Sequence, residues 1–246
     1  MLEKLDYFRD PNFKFDEESH SYAYYDSNSG LLSQIFEPVS GFIGQFKKPF
    51  DPNISKYVAK SRGITQEEVL NEWKQSGVRG TETHRWIEDH YQGKSPDLPE
   101  DPIVRKKIEF FKQAYSERLH KMNPIFQEFR IFSKKWGIAG TLDILFELNG
   151  KYYVGDWKTN SDFTDDKHIK GKKSKMYSPF ENLWDNHLNS YSLQISAYRL
   201  ILEEEAGFKT EGGLLISLSD TGYKFYKALD LTESLKMELN KNNYSF

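Results

Sequence analysis

The sequence predicts an α/β fold in which helices flank a mixed β-sheet, with a hairpin and helical decoration at the N-terminus. Three observations lead there. Helical patterns before residue 120 give way to a strand pair centred on Asn149-Gly150. A helical stretch at 191–206 follows, closed by Gly207. A second strand pair then turns at Asp220-Thr221-Gly222.

Each element has a local reason. Residues 13–25 set Phe13, Phe15, Tyr22 and Tyr24 on either side of a polar stretch, which predicts a hairpin. After a loop at Asn28-Ser29-Gly30, the spacing predicts a short helix over 41–46, capped by Ser40 and ended before Pro49. Thr65-Gln66-Glu67-Glu68 is a capping box with Ile64 and Val69 as its staple, opening a helix from Gln66 to about Ser76. Gly77 and Gly80 predict a break, and residues 81–91 a separate helix with His84, Ile87, Glu88 and Tyr91 on one face. Asp101-Pro102 caps the next helix, along which Val104, Ile108, Phe111, Tyr115 and Leu119 recur at helical spacing. Residues 125–132 are rich in strand formers. Residues 138–148 and 151–158 flank Asn149-Gly150, where a type I′ turn needs positive φ twice. Thr232 starts a C-terminal helix.

Composition limits the chemistry. The chain has 246 residues, 37% hydrophobic and 29% charged, with a formal net charge of −3, so a packed core is within reach and no global basic field exists. With no cysteine, disulfides, thiol nucleophiles and cysteine-ligated zinc or iron–sulfur centres are excluded, and any metal must sit on oxygen or imidazole. No apolar run approaches a membrane span and residues 1–10 are mixed and charged, so the expectation is a soluble, cytoplasmic protein.

The two-residue turn sets a register. It pairs Leu148 with Lys151 and, counted back along both strands, Asp143 with Asp156, whose Cβ atoms would lie about 5 Å apart. Lys158 shares the Asp156 face, and Trp157 points to the opposite, core-packing one. Two facing carboxylates repel unless a cation stands between them, which suits a hard divalent ion, Mg²⁺ or Mn²⁺. Such an ion activates water and neutralises phosphoryl charge, while Lys158 orients the water or helps deprotonate it. The bland alternative is a solvated hairpin with Lys158 as an ordinary diagonal partner.

Gly140-Thr141-Leu142-Asp143, Asp156-Trp157-Lys158 and Gln194-Ile195-Ser196-Ala197-Tyr198 resemble, in order, the GxxD, DxK and QxxxY signatures of the PD-(D/E)XK nuclease superfamily, in its RecB-like and lambda-type exonuclease branch. Gly80-Thr81-Glu82-Thr83-His84 resembles that branch's histidine element. The likeness covers about residues 80–200; Pro38-Val39-Ser40 and Pro49-Phe50-Asp51 resemble, more weakly, the opening segment of phage exonucleases. It implies a restriction-endonuclease-like core and one nuclease domain over 1–246: an N-terminal extension to 78, the core over 79–230 and a closing helix over 231–246. Asp143 and Asp156 would be metal ligands, joined by His84 and the Trp157 carbonyl, with Lys158 as the catalytic lysine. Gln194 and Tyr198, one helical turn apart, would hold a phosphate or flanking base, although Tyr198 also falls in a core stripe with Ile195, Ile201 and Leu202. Glu88 supports His84 in this reading. Glu128 is a secondary carboxylate, supporting the site or a second metal, for which a surface pair with Arg130 or a nearby lysine is the plainer role.

A local basic patch stands where the global one is missing. Lys167, Lys170, Lys172, Lys173 and Lys175 occur with His168 and no acid, followed by Tyr177, Phe180 and Trp184, which either stack on bases or anchor the segment. The expected function is a Mg²⁺- or Mn²⁺-dependent deoxyribonuclease working on DNA ends, in a bacterial or phage setting, open to homo-oligomerisation or a recombination partner. The alternatives are a structure-specific endonuclease and a non-catalytic nucleic-acid-binding module on the same fold.

Overall fold

A computed structural model describes residues 1–160 and 174–241. A 3-10 turn at Leu2–Arg9 leads into strands β1 (Phe13–Asp16), β2 (Ser21–Tyr25) and β3 (Leu32–Pro38), then helices α1 (Val39–Gly44), α2 (Ile54–Arg62), α3 (Gln66–Tyr91) and α4 (Pro102–Glu117). Strands β4 (Asn123–Ser133), β5 (Ile138–Leu148) and β6 (Lys151–Lys158) follow, then α5 (His187–Ala206), β7 (Gly212–Ser219), β8 (Gly222–Lys227) and α6 (Thr232–Lys241). The strands form one open mixed sheet in the order β1-β2-β3-β5-β6-β7-β8, with β4 paired to β5 off that path. β3 runs parallel to β5 and β6 parallel to β7; the other pairs are antiparallel. The chain therefore has the mixed α/β architecture predicted for it.

Helices cover both faces. Residues of α1, α5, α6 and the N-terminal turn pack one face around Phe132, Leu145 and Ile201. The other face receives α3 and α4 around Phe111, Phe146 and Trp157. Trp157 is buried there, as its position between Asp156 and Lys158 predicts.

The local signals at the helix ends operate as expected. Thr65 and Glu68 close the capping box reciprocally, and Asp101 accepts from the Ile103 and Val104 amides. Two expectations need correcting, and two elements have no counterpart among them. α3 is one continuous helix of 26 residues, without a break at Gly77 or Gly80. Gly80 is required instead by close approach, because a Cβ there would lie 3.0 Å from Thr159 Oγ1, just past the end of β6. α1 begins at Val39 with Pro38 at its N-cap, and Ser40 makes no capping bond. β3 and α2 are not predicted: β3 fully buries only Phe36, and α2, which opens without a side-chain cap and ends on left-handed Gly63, buries only Ser55 and Ala59. No helix among the described residues is long and apolar enough to cross a membrane.

β5 is the strand that organises the rest. β4 pairs along nearly all of one side of it. On its other side β3 pairs only with Ile138 and Ala139, and β6 only from Ile144 to Leu148. Residues 140–143 lie between these partners, so the sheet has a notch at the Gly140-Thr141-Leu142-Asp143 motif. β7 is pressed closely by α5: a Cβ on Gly213 would stand 2.2 Å from Ile195 Cγ2 and 3.2 Å from Ala228 Cβ. Gly213→Ala should therefore cost about 1–3 kcal/mol through overpacking. Gly44→Ala, where a Cβ meets nothing within 4 Å, should stay within about 0.5 kcal/mol of wild type. Denaturant midpoints compare the two.

Candidate functional site

The notch holds the residues singled out by motif. The Asn149-Gly150 register holds from Leu148 opposite Lys151 to Ile144 opposite Gly155, and there the β5–β6 ladder ends. Asp143 and Asp156 are thus not a directly hydrogen-bonded strand pair, which corrects the simple extrapolation. β6 stays paired with β7 as far as Lys158 opposite Ser217 and draws away from β5. The Trp157 amide, left without a strand acceptor on the β5 side, donates to Asp143 Oδ2 at 2.7 Å. The Asp143 side chain takes the place of a backbone partner and is held beside the Asp156–Lys158 tip.

Around Asp143 three ligand-type groups converge. His84 Nδ1 stands 3.5 Å from Asp143 Oδ2. One ligand atom from each of His84, Glu128 and Asp143 lies within 4.8 Å of the other two. Glu128 reaches this position from left-handed backbone, φ 44°, between the pairs Gln127–Ile144 and Phe129–Leu142, which places it opposite Asp143. Such a conformation costs an L-residue about 1–2 kcal/mol and rarely persists in a strand without a reason. The surface pairing of Glu128 with Arg130 is not found: Arg130 lies over the Phe15 ring and 3.7 Å from Glu17. Glu88 lines the same cleft, but accepts from Gln92 Nε2 rather than from His84.

Asp156 is 1% exposed, and Lys158 Nζ is 2.7 Å from its Oδ2. That contact is an ion pair without hydrogen-bond alignment, so the buried Oδ2 has no aligned donor. Burial, together with Asp143, pushes the Asp156 carboxyl up to about 6 even against the pull of Lys158. Burial, then the charges of Asp143, Glu88 and Asp156, pushes Glu128 up to about 8. Burial opposes the charge on Lys158, but Asp156 and Asp143 outweigh it and hold the ammonium above its ordinary range. The convergence of His84, Asp143 and Glu128 is compatible with a hard divalent cation, and Asp156, paired with Lys158, falls outside that group of three.

α5 supplies the other side of Lys158. Gln194 Oε1 is 3.5 Å from Lys158 Nζ, and Gln194 Nε2 donates to Tyr198 Oη at 2.9 Å. The Tyr191 ring lies under the ammonium, 4.3 Å from Nζ to its centroid. Tyr198 is 4% exposed and packs on the Gly140 backbone, where a Cβ would stand 2.6 Å from its ring. The glycine of the GxxD motif is thereby explained by an aromatic ring that needs its space. Gln194 and Tyr198 both line a cleft of about 960 Å³ together with His84, Glu88, Glu128 and Asp143, while Arg85, Arg130 and His20 stand on its walls.

Lys107 was not anticipated. It is buried on α4 and donates to the Thr159 carbonyl, fixing the chain just beyond Lys158. The signal available was a lone lysine on the apolar face of α4, between Val104 and Ile108. Lys167, His168, Lys170, Lys172 and Lys173 lie outside the described residues. Of the aromatics beyond them, Phe180 is an anchor, buried against Phe46 at 4.9 Å, whereas Tyr177 and Trp184 are exposed.

No protein-family model matches the chain, and no curated protein matches it. Among solved structures, a "Putative exonuclease" from Eubacterium rectale is similar at a TM-score of 0.46 and 11% identity, over 67% of this chain and 64% of that one. This chain thus spans a little under two thirds of that protein's length. A second, SSO0001, has a TM-score of 0.29 and 16% identity over 58% of this chain and 60% of its own. Both are distant, and the functional reading rests on the chain's own residues.

The electrostatics give a stability test. Asp156 and Glu128 bind protons more tightly folded than unfolded, so they favour the fold at low pH and that contribution is lost as pH rises through about 6 and about 8. A divalent cation needs the deprotonated groups. Mg²⁺ or Mn²⁺ should raise the melting temperature more near pH 8.5 than near pH 5, and Asp143→Asn should remove most of the increment. Equal increments at both pH values, or one untouched in Asp143→Asn, would place cation binding elsewhere.

Proposed function

We propose that the chain is a divalent-metal-dependent nuclease that hydrolyses phosphodiester bonds in DNA, acting preferentially at ends. The observation that carries the reading is the buried Lys158 ammonium, 2.7 Å from Asp156 at the tip of β6 and next to the cluster of His84, Glu128 and Asp143. The preference for DNA ends comes from the resemblance of the three ordered motifs to the RecB-like and lambda-type branch.

The metal would be held by Asp143, Asp156 and His84, with Glu128 and the Trp157 carbonyl as further donors. When bound, Mg²⁺ or Mn²⁺ supplies Lewis-acid activation of water and neutralises charge on the phosphoryl oxygens. Lys158 contributes a fixed positive charge. Its ammonium would donate a hydrogen bond to the attacking water or to a phosphate oxygen. Gln194 orients that ammonium by accepting from it while its own amide N–H group is engaged by Tyr198. Asp156, enclosed and paired with Lys158, holds the lysine at the tip of the strand. Arg85 and Arg130 on the cleft wall would bind the phosphate backbone and make affinity fall as salt rises.

The test compares linear, nicked and closed-circular DNA in Mg²⁺ or Mn²⁺. Wild type should degrade linear DNA, and Asp156→Asn and Lys158→Ala should each lose at least about a hundredfold in rate while remaining folded by circular dichroism. Cleavage of closed circles would make the enzyme an endonuclease. Cleavage unchanged in Asp156→Asn would sink the assignment of the site, and binding without cleavage in wild type would leave a non-catalytic module.

A further inference from the structure

Away from the cleft, α2 and the first half of α3 form an arm whose surface is unusual for its aromatic content. Residues 71–78 of α3 are all exposed. On this arm Phe50 is 69% exposed and Trp73 is 38% exposed, and their rings meet edge to face with centroids 6.0 Å apart. Lys47 and Lys48 lead into Phe50 through Pro49, and Lys74 follows Trp73. Of the carboxylates nearby, Glu72 accepts from both terminal nitrogens of Arg62, Glu68 is committed to the Thr65 capping box, and Asp51 and Asp185 accept from the neutral N–H groups of Asn53 and of the Lys48 backbone. Lys47, Lys48 and Lys74 thus flank the aromatic pair, within a chain whose net charge is −3.

The position of the pair relative to the cleft narrows what would use it. Trp73, Gly77, Gly80 and His84 follow one another at helical spacings of four, three and four residues, so Trp73 shares a face of α3 with the histidine in the site. Only the two glycines separate them on that face, and a Cβ on Gly77 would meet nothing within 4 Å. At 1.5 Å per residue the rings stand about 16 Å along the helix from His84. The Phe50 segment is tied to the body at the same place: the Tyr177 amide donates to the Phe46 carbonyl, and the Lys48 amide to Asp185.

We infer that Phe50 and Trp73 form a stacking platform for unpaired bases of a nucleic-acid strand that runs along α3 into or out of the cleft, with Lys48 and Lys74 on its phosphates. The inference rests on the nuclease reading for its occupant. Exposed aromatic faces among lysines suit single strands of any sequence, because every base offers a π-face and every nucleotide a charge. A protein partner would be served by the rings but not by the flanking lysines.

The experiment measures binding of fluorescein-labelled oligo-dT by anisotropy in EDTA, where no cleavage occurs, using the full chain. Phe50→Ala and Trp73→Ala should each weaken binding by about tenfold, with the salt dependence unchanged. Trp73→Tyr should restore most of the affinity, which separates stacking from damage to the helix. Lys48→Ala with Lys74→Ala should flatten the slope of log affinity against log salt by about 1.4. Aromatic variants that bind like wild type would overturn the platform. So would a change in sedimentation of Trp73→Ala without a change in oligo-dT binding, since the surface would then belong to a second copy of the chain. Failure of the nuclease reading is read separately, from metal-dependent cleavage in Asp156→Asn, and leaves the EDTA measurement intact.

Discussion

The site depends on β5 having three neighbours but only two sides. β4 occupies one side, and β3 and β6 share the other, leaving residues 140–143 between them without a strand. A gap inside a sheet exposes backbone groups that must be satisfied, and here a side chain meets one of them while a ring packs on another residue of the gap. Asp143 accepts the Trp157 amide across the gap, and the Tyr198 ring lies on Gly140. Those substitutions turn a break in the ladder into a pocket with a carboxylate at a defined place. The same divergence frees the tip of β6 from β5, so Asp156 and Lys158 project beside Asp143 rather than being locked into a continuing hairpin.

The charges in that pocket are tolerable only together. A buried carboxylate near another is costly, and each raises its neighbour's affinity for a proton. Lys158 offsets part of this for Asp156, and is itself kept charged by the acids around it. Glu128, which Arg130 relieves only in part, is pushed further above its ordinary range than Asp156. Its left-handed backbone adds strain at the same point. Proteins keep such a combination where function requires it, at some expense in stability. Lys107 extends the arrangement outward: its bond to the Thr159 carbonyl and the contact of Thr159 with Gly80 bind α4, β6 and α3 at one corner.

Much of this was legible in the residues, for reasons that differ from place to place. Asn149-Gly150 set a register that the structure keeps for five residue pairs, because a two-residue turn leaves a hairpin little freedom. The turn carries no information about β3 or β7, so it could not reveal that β6 leaves β5 at Asp156 while staying paired with β7. The capping box at Thr65 and the Asp101-Pro102 start are local chemistry and were readable. Gly77 and Gly80 were misleading because glycine marks both helix ends and close approaches, and only the packing against Thr159 distinguishes them. Glu128 was underweighted since strand alternation has no signature for a positive φ. β3 and α2 were invisible because each buries too few side chains to leave a periodic pattern.

Gln194 shows how the two halves of the site act as one. An amide is the side chain that both donates and accepts from adjacent atoms, and here its N–H group is taken by Tyr198 while its oxygen faces Lys158. Because Tyr198 is itself fixed on Gly140, the orientation of the amide is settled from the β5 side of the notch. The acceptor presented to Lys158 is therefore set by the glycine that opens the GxxD motif, through a ring and an amide. With Asp156 on one side, the Gln194 oxygen on another and the Tyr191 ring beneath, every neighbour of the ammonium favours its charged form. The three motifs thus converge on one lysine, held at the tip of β6 between Asp156 and the Gln194 oxygen.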